Sequence, residues 1–244
     1  MHAPTTAPRR STEHGRRLVA ALAAAALIAS CAGPSEDELD PDSSLPSGHD
    51  LLAAAVRVEA FGCHTTATVG GGSFIAPERI ITVAHVVAGS QRVEVLLADG
   101  RHVEAVVIAI DRIRDLAILH AEVLVSPLTA GTAAEGDSGE FATFRTGAAA
   151  AVAFRIAHEL VLDAPDIDGQ GSYHRQGFEL RADVKEGDSG SVLVSHGQVM
   201  GVVFARSSQH PGRAFAVDIA EAASLLAADD DAIADTGVCV ANPY

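Results

Sequence analysis

From Leu51 onward the chain is a succession of short apolar runs broken by turn residues, and this pattern restricts its folding more than any other feature. Alternating runs of this length bounded by Gly, Asp and Pro are the signature of an all-β domain. Six strand candidates precede residue 125, at 53–60, 66–76, 79–84, 92–98, 102–110 and 115–121. Six more follow, at 139–145, 150–162, 177–184, 191–195, 198–205 and 213–217. Ala98-Asp99-Gly100 and Ser195-His196-Gly197-Gln198 read as hairpin tips, where glycine takes a positive φ at no steric cost. Gly70-Gly71-Gly72 inside a strand predicts either a bulge or a close approach of another backbone. A helix over 218–226, with Asp218 at its N-cap, ends a domain that spans 51–228. The last residues, 229–244, open with three aspartates and predict a loosely held tail apart from Cys239.

Before Leu51 the composition differs. Arg9, Arg10, Arg16 and Arg17 precede an apolar run from Leu18 to Ile28, too short to span a membrane comfortably and suited to an export signal over 1–30. The run ends Leu27-Ile28-Ala29-Ser30-Cys31, which resembles the lipobox of bacterial lipoproteins. That resemblance implies lipidation of Cys31 and a protein exported and anchored in the membrane, facing the periplasm or the cell exterior; a plain signal peptide with an incidental cysteine is the alternative. Residues 31–50 are acidic and rich in Pro, Ser and Gly, so they predict a disordered tether. With Cys31 assigned to lipid, Cys63 and Cys239 remain, and an oxidising compartment permits a bridge between them. Two unpaired core cysteines are the alternative. The net charge of −15 argues against nucleic acid as a partner.

Three short segments carry chemistry. Gly187-Asp188-Ser189-Gly190 lies between apolar runs and raises a serine on a bend, with the N–H groups of Gly187 and Ser189 free to converge on one point. A developing oxyanion needs such fixed donors. Thr82-Val83-Ala84-His85-Val86-Val87 supplies a base, and Arg114-Asp115-Leu116-Ala117-Ile118-Leu119 a carboxylate to orient it. Gly136-Asp137-Ser138-Gly139 is a rival serine loop, but it lies only 23 residues beyond Asp115 and reads as the turn entering the second set of strands. Asp111 is a rival carboxylate, but only Asp115 begins the Asp-Leu-Ala-Ile-Leu strand.

In their order, these segments resemble the trypsin-like and chymotrypsin-like serine peptidases. Bacterial members of the HtrA-like and mycobacterial acid-resistance protease type resemble the chain most, on Gly71-Gly72-Ser73-Phe74-Ile75-Ala76-Pro77, the segments around His85 and Asp115, the loop of Ser189, and the strands Gly201-Val202-Val203-Phe204 and Ala214-Phe215-Ala216-Val217. The resemblance covers about 53–226 and implies a double six-stranded β-barrel with the site between the barrels. It implies a serine endopeptidase acting on protein or peptide substrates, with His85, Asp115 and Ser189 as the catalytic residues and the N–H groups of Gly187 and Ser189 as the oxyanion hole. Asp183 falls where trypsin keeps the carboxylate of its primary specificity pocket, so it is the specificity candidate, with an ordinary exposed loop aspartate as the alternative. Asp188 replaces the asparagine usual in HtrA-like members, and is expected to bond to local backbone or to a basic side chain in a site formed without zymogen cleavage; the alternative is the trypsin-like switch, which would require a further cleavage near residue 50. The other histidines show no metal-ligand spacing, and neither a metal nor a cofactor is expected. The alternatives to an endopeptidase are a catalytically silent peptide-binding or scaffolding module at the envelope and an esterase using the same three residues.

Overall fold

The computed structural model describes residues 48–240; the expected export signal, Cys31, residues 32–47 of the tether and the last four residues lie outside them. A short helix, α1 (Gly48–Ala54), opens the described chain and buries Leu51 and Ala54. It corrects the expectation of disorder to residue 50 and of a strand from 53. The first barrel follows as β1 (Ala55–Phe61), β2 (Thr68–Ala76), β3 (Arg79–Thr82), a one-turn helix α2 (Ala84–Val87), β4 (Arg92–Leu97), β5 (His102–Asp111) and β6 (Leu116–His120). These strands close in the order β1-β2-β3-β6-β5-β4, all antiparallel. Alternation explains the closure: Val56, Val58 and Ala60 of β1 and Val93, Val95 and Leu97 of β4 point inward and are buried.

The connection adds a two-residue strand, β7 (Thr129–Ala130), that sequence did not suggest. The second sheet comprises β8 (Ser138–Thr143), β9 (Ala150–Pro165), β10 (Ser172–Ala182), β11 (Val192–Ser195), β12 (Gln198–Arg206) and β13 (Arg213–Asp218). Its order is β11-β8-β9-β10-β13-β12-β7, and β11 also pairs with β12, so six strands again close on themselves. Phe141, Phe154, Ile156, Phe178, Leu180 and Leu193 fill its interior. No helix among the described residues is long and apolar enough to cross a membrane.

The expected C-terminal helix is instead two 3-10 turns, Ile219–Ala222 and Leu225–Ala227. Asp218 caps the first as expected, accepting from the N–H of Ala220 at 2.9 Å. Its buried residues, Ile219, Ala222 and Leu225, recur every third position, the period of a 3-10 helix and not of an α-helix. The tail is also more firmly held than expected. The N–H of Ala234 donates to the carbonyl of Val107 (2.9 Å) and the N–H of Gly89 to that of Thr236 (2.9 Å). Cys63 and Cys239 are bridged, with Cα atoms 5.5 Å apart, which stitches the tail to the segment between β1 and β2.

Candidate active site

A cleft of about 620 Å³ between the barrels is bordered by the β1–β2 connection, α2, the β8–β9 turn, the β10–β11 loop and the end of β12. The first barrel supplies its polar machinery from two strand ends. β3 ends at Thr82, Val83 is extended, and α2 then turns His85 inward, leaving it 8% exposed. Asp115 immediately precedes β6, fully buried and in the left-handed region at φ +58°, which Asp tolerates better than most residues. Its Oδ1 accepts the main-chain N–H of His85 at 2.9 Å and its Oδ2 lies 2.7 Å from His85 Nδ1. One carboxylate therefore fixes both backbone and ring of the histidine. Because a carboxylate accepts, Nδ1 carries the proton, and Nε2 is left as the basic nitrogen.

The second barrel supplies Ser189 on the loop between β10 and β11. Its Oγ donates to the carbonyl of Phe204 at 3.4 Å. Its own carbonyl accepts from the N–H of Gly71 in the other barrel at 2.7 Å. This contact explains the glycine run in β2. A Cβ on Gly70 would stand 2.7 Å from the Ser189 carbonyl, and one on Gly71 would stand 2.2 Å from Ser191 Oγ. Close approach, not a bulge, is thus the reason for Gly70-Gly71-Gly72. Within the loop, the N–H groups of Asp188, Gly190 and Ser191 donate to the carbonyls of Lys185, Val203 and Asp188. Those of Gly187 and Ser189 donate to nothing among the described residues, and both residues line the cleft. Gly187 has φ +88°, a conformation that glycine reaches without steric cost.

Asp188 is 1% exposed. Its carboxylate accepts from Thr143 Oγ1, from the Arg145 guanidinium and from the N–H of Lys185 at 2.7 Å. Both expected partners, local backbone and a basic side chain, are present. Hydrogen bonding to Asp188 also raises the pKa of Arg145 above its ordinary value.

Asp183 is not the buried pocket carboxylate that its position implied. Its side chain is 61% exposed, pairs with Lys185 and Arg145, and does not line the cleft. Its pKa is lowered, chiefly by the hydrogen bond from Lys185. The cleft wall beside it is the buried Val184, with Val69, Phe204 and Ala205. The rivals lie outside the cleft as well. Ser138 opens β8, where its carbonyl accepts from Ser195 Oγ at 2.8 Å. Asp111 forms a turn, accepting from the N–H groups of Ile113 and Arg114.

Among the described residues, Glu59, Glu94 and His102 bring potential ligand atoms within 4.8 Å of one another. The two carboxylates already face Arg57 and Arg92, and none of the three residues lines the cleft. Sequence reasoning missed Thr143 and Arg145. They stand 45 and 43 residues from Asp188, beyond the reach of any local pattern.

Two closed barrels, with histidine and carboxylate from one and serine from the other, define a trypsin-like peptidase domain. The family described as trypsin-like peptidase domain matches residues 70–202, and the chain belongs to it. The chain is 36% identical over 164 residues to the serine protease Rv3671c of Mycobacterium tuberculosis, covering 65% of this chain and 41% of that protein. It is 30% identical over 163 residues to the serine protease Do-like HtrA of Lactobacillus helveticus, covering 60% and 38%. The chain thus spans about two fifths of the length of these relatives. The crystal structure of the active form of the Rv3671c protease superposes with a TM-score of 0.73 at 33% identity, covering 81% of this chain and 90% of that one. The inactive form gives 0.63 at 33% identity, with coverages of 73% and 90%.

Proposed function

We propose that residues 51–228 form a serine endopeptidase that hydrolyses peptide bonds of protein substrates through Ser189, His85 and Asp115. The carrying observation is the double grip of Asp115 on His85, which fixes the tautomer a general base needs. In this reading His85 Nε2 takes the proton from Ser189 Oγ as the oxygen attacks the scissile carbonyl, then gives it to the leaving amine, and water repeats the cycle on the acyl-enzyme. The N–H groups of Gly187 and Ser189 receive the oxyanion, each such donor contributing roughly 3 kcal/mol.

We further infer that no new N-terminus is needed to form the site. Arg145 supplies from within the chain the cation that Asp188 requires, and the greater likeness to the active than to the inactive Rv3671c protease supports the same reading. The basic leader and Cys31 support export and lipid anchoring at the envelope, and metabolic labelling with a fatty acid, lost in Cys31→Ser, tests that part. The central test is a fluorophosphonate probe with intact-mass readout. One adduct on Ser189, abolished in His85→Ala and kept in Ser138→Ala, is expected. Absence of an adduct on folded protein would overturn the hydrolase reading in favour of a silent binding module.

A further inference from the structure

The charges lining the cleft are not those of the molecule as a whole. The chain carries −15, yet the cleft is bordered by Arg57, Arg145, Lys185 and Arg206 against only Glu186 and Asp188. Most of these charges are already compensated. Arg57 lies 3.1 Å from Glu59, Arg145 pairs with Asp188, and Lys185 pairs with Asp183. The side chains of Arg206 and Glu186 are both exposed and make no hydrogen bond or ion pair among the described residues. Two uncompensated charges of opposite sign therefore border the cleft on different segments. Glu186 directly precedes Gly187, and Arg206 lies two residues past Phe204, whose carbonyl meets Ser189 Oγ.

The backbone around Arg206 is suited to present it to a bound chain. Val203 bonds to Ser191 and Gly190 on one edge of β12. Beyond it, Ala205 and Arg206 pair only with β13 among the described residues, so the opposite edge of this stretch borders the cleft with no strand partner from them. An extended peptide adds readily to such an edge. At roughly 3.3 Å per residue, Arg206 meets a side chain about two or three residues from the scissile bond.

Resting on the hydrolase reading, we propose that the cleft selects substrate segments of opposed charge: an acidic side chain met by Arg206 on one side of the scissile bond, and a basic one met by Glu186 on the other. The class implied is a protein segment with charge polarity across the cut, not an acidic or a basic protein as such. Global attraction to the anionic enzyme would favour any cationic substrate, so the test must hold net charge constant.

Two isomeric fluorogenic peptides meet that need, one with glutamates before and lysines after a common apolar cleavage segment, the other with the order reversed. Exposed charge pairs are individually weak, and two acting together predict about a tenfold difference in kcat/KM at low salt, shrinking as ionic strength rises. Arg206→Glu is expected to collapse or invert the ratio, whereas Arg101→Glu, on the β4–β5 hairpin, is expected to keep it. Equal rates for the isomers, or a ratio untouched by Arg206→Glu in folded protein, would overturn the proposal while leaving the hydrolase reading intact. If neither peptide is cut and the fluorophosphonate fails to label, the hydrolase reading falls. The same peptides titrated onto Ser189→Ala by fluorescence anisotropy then decide the charge reading alone, with unequal Kd values supporting it and equal or undetectable binding refuting it.

Discussion

The two barrels deliver their share of the site in different ways. In the first, His85 and Asp115 stand at the ends of β3 and β6, neighbouring strands of a closed sheet, and both are buried. Their relative position follows from the ladder itself, since Thr82 pairs with Ala117. In the second, Ser189 sits in a loop between β10 and β11 whose shape depends on a few polar contacts: Asp188 with Thr143 and Arg145, and the Ser189 carbonyl with Gly71. One half of the site should therefore be as stable as the fold, while the other should be open to loss with the barrel intact.

The comparison can be broken from either side. The largest effect is expected from Asp115→Asn, which keeps the shape but reverses the hydrogen-bond demand on His85; kcat should fall about 10⁴-fold. Arg145→Met tests the second barrel. It leaves a buried carboxylate without its cation, and kcat/KM should drop on the order of 10²-fold as the N–H groups of Gly187 and Ser189, the proposed oxyanion donors, lose alignment. Hydrogen exchange should rise in 185–190 and not in β3 or β6; uniform loss of protection would mean the loop is no weaker than the barrel. Breaking a buried pair this way costs about 3–5 kcal/mol when the charge cannot escape, so a smaller loss of stability would itself indicate that the loop had opened.

The strands of the first barrel were legible almost to the residue, because alternation is strong where one face is buried, as in 92–98 against the observed Arg92–Leu97. The β9–β10 hairpin was legible only in part. Its outer portion carries exposed Tyr173 and His174 and buries Arg175, so it lacks the apolar signal, and 163–165 and 172–176 were missed as strand. Its tip nonetheless bridges the barrels: Ile167 packs on Ala84 and Ala88, and Asp168 pairs with Arg112. His85, Asp115 and Ser189 could be named from local motifs. The partners of Asp188 could not, because only the fold brings Thr143 and Arg145 to it.

Smaller effects sharpen the contrast. Cys63→Ser or Cys239→Ser should lower stability by about 2–5 kcal/mol by releasing the tail from the first barrel, read as a fall in denaturant midpoint. Asp168→Asn should cost less than about 1 kcal/mol at neutral pH. Arg112 holds the Asp168 carboxyl below its ordinary range, so the contribution is full above an unfolded value of about 3.8 and disappears as pH falls through the lower folded value. Wild type and variant should therefore converge in melting temperature at strongly acid pH, and a gap persisting there would point to packing instead of charge.

The bridge between Cys63 and Cys239 also makes the domain a covalent ring with His85, Asp115 and Ser189 inside it. A single backbone cut anywhere within that ring releases no fragment. The nicked chain stays one molecule, its new ends held by the barrels on either side. One internal cut that would divide an unbridged domain in two thereby leaves this one whole.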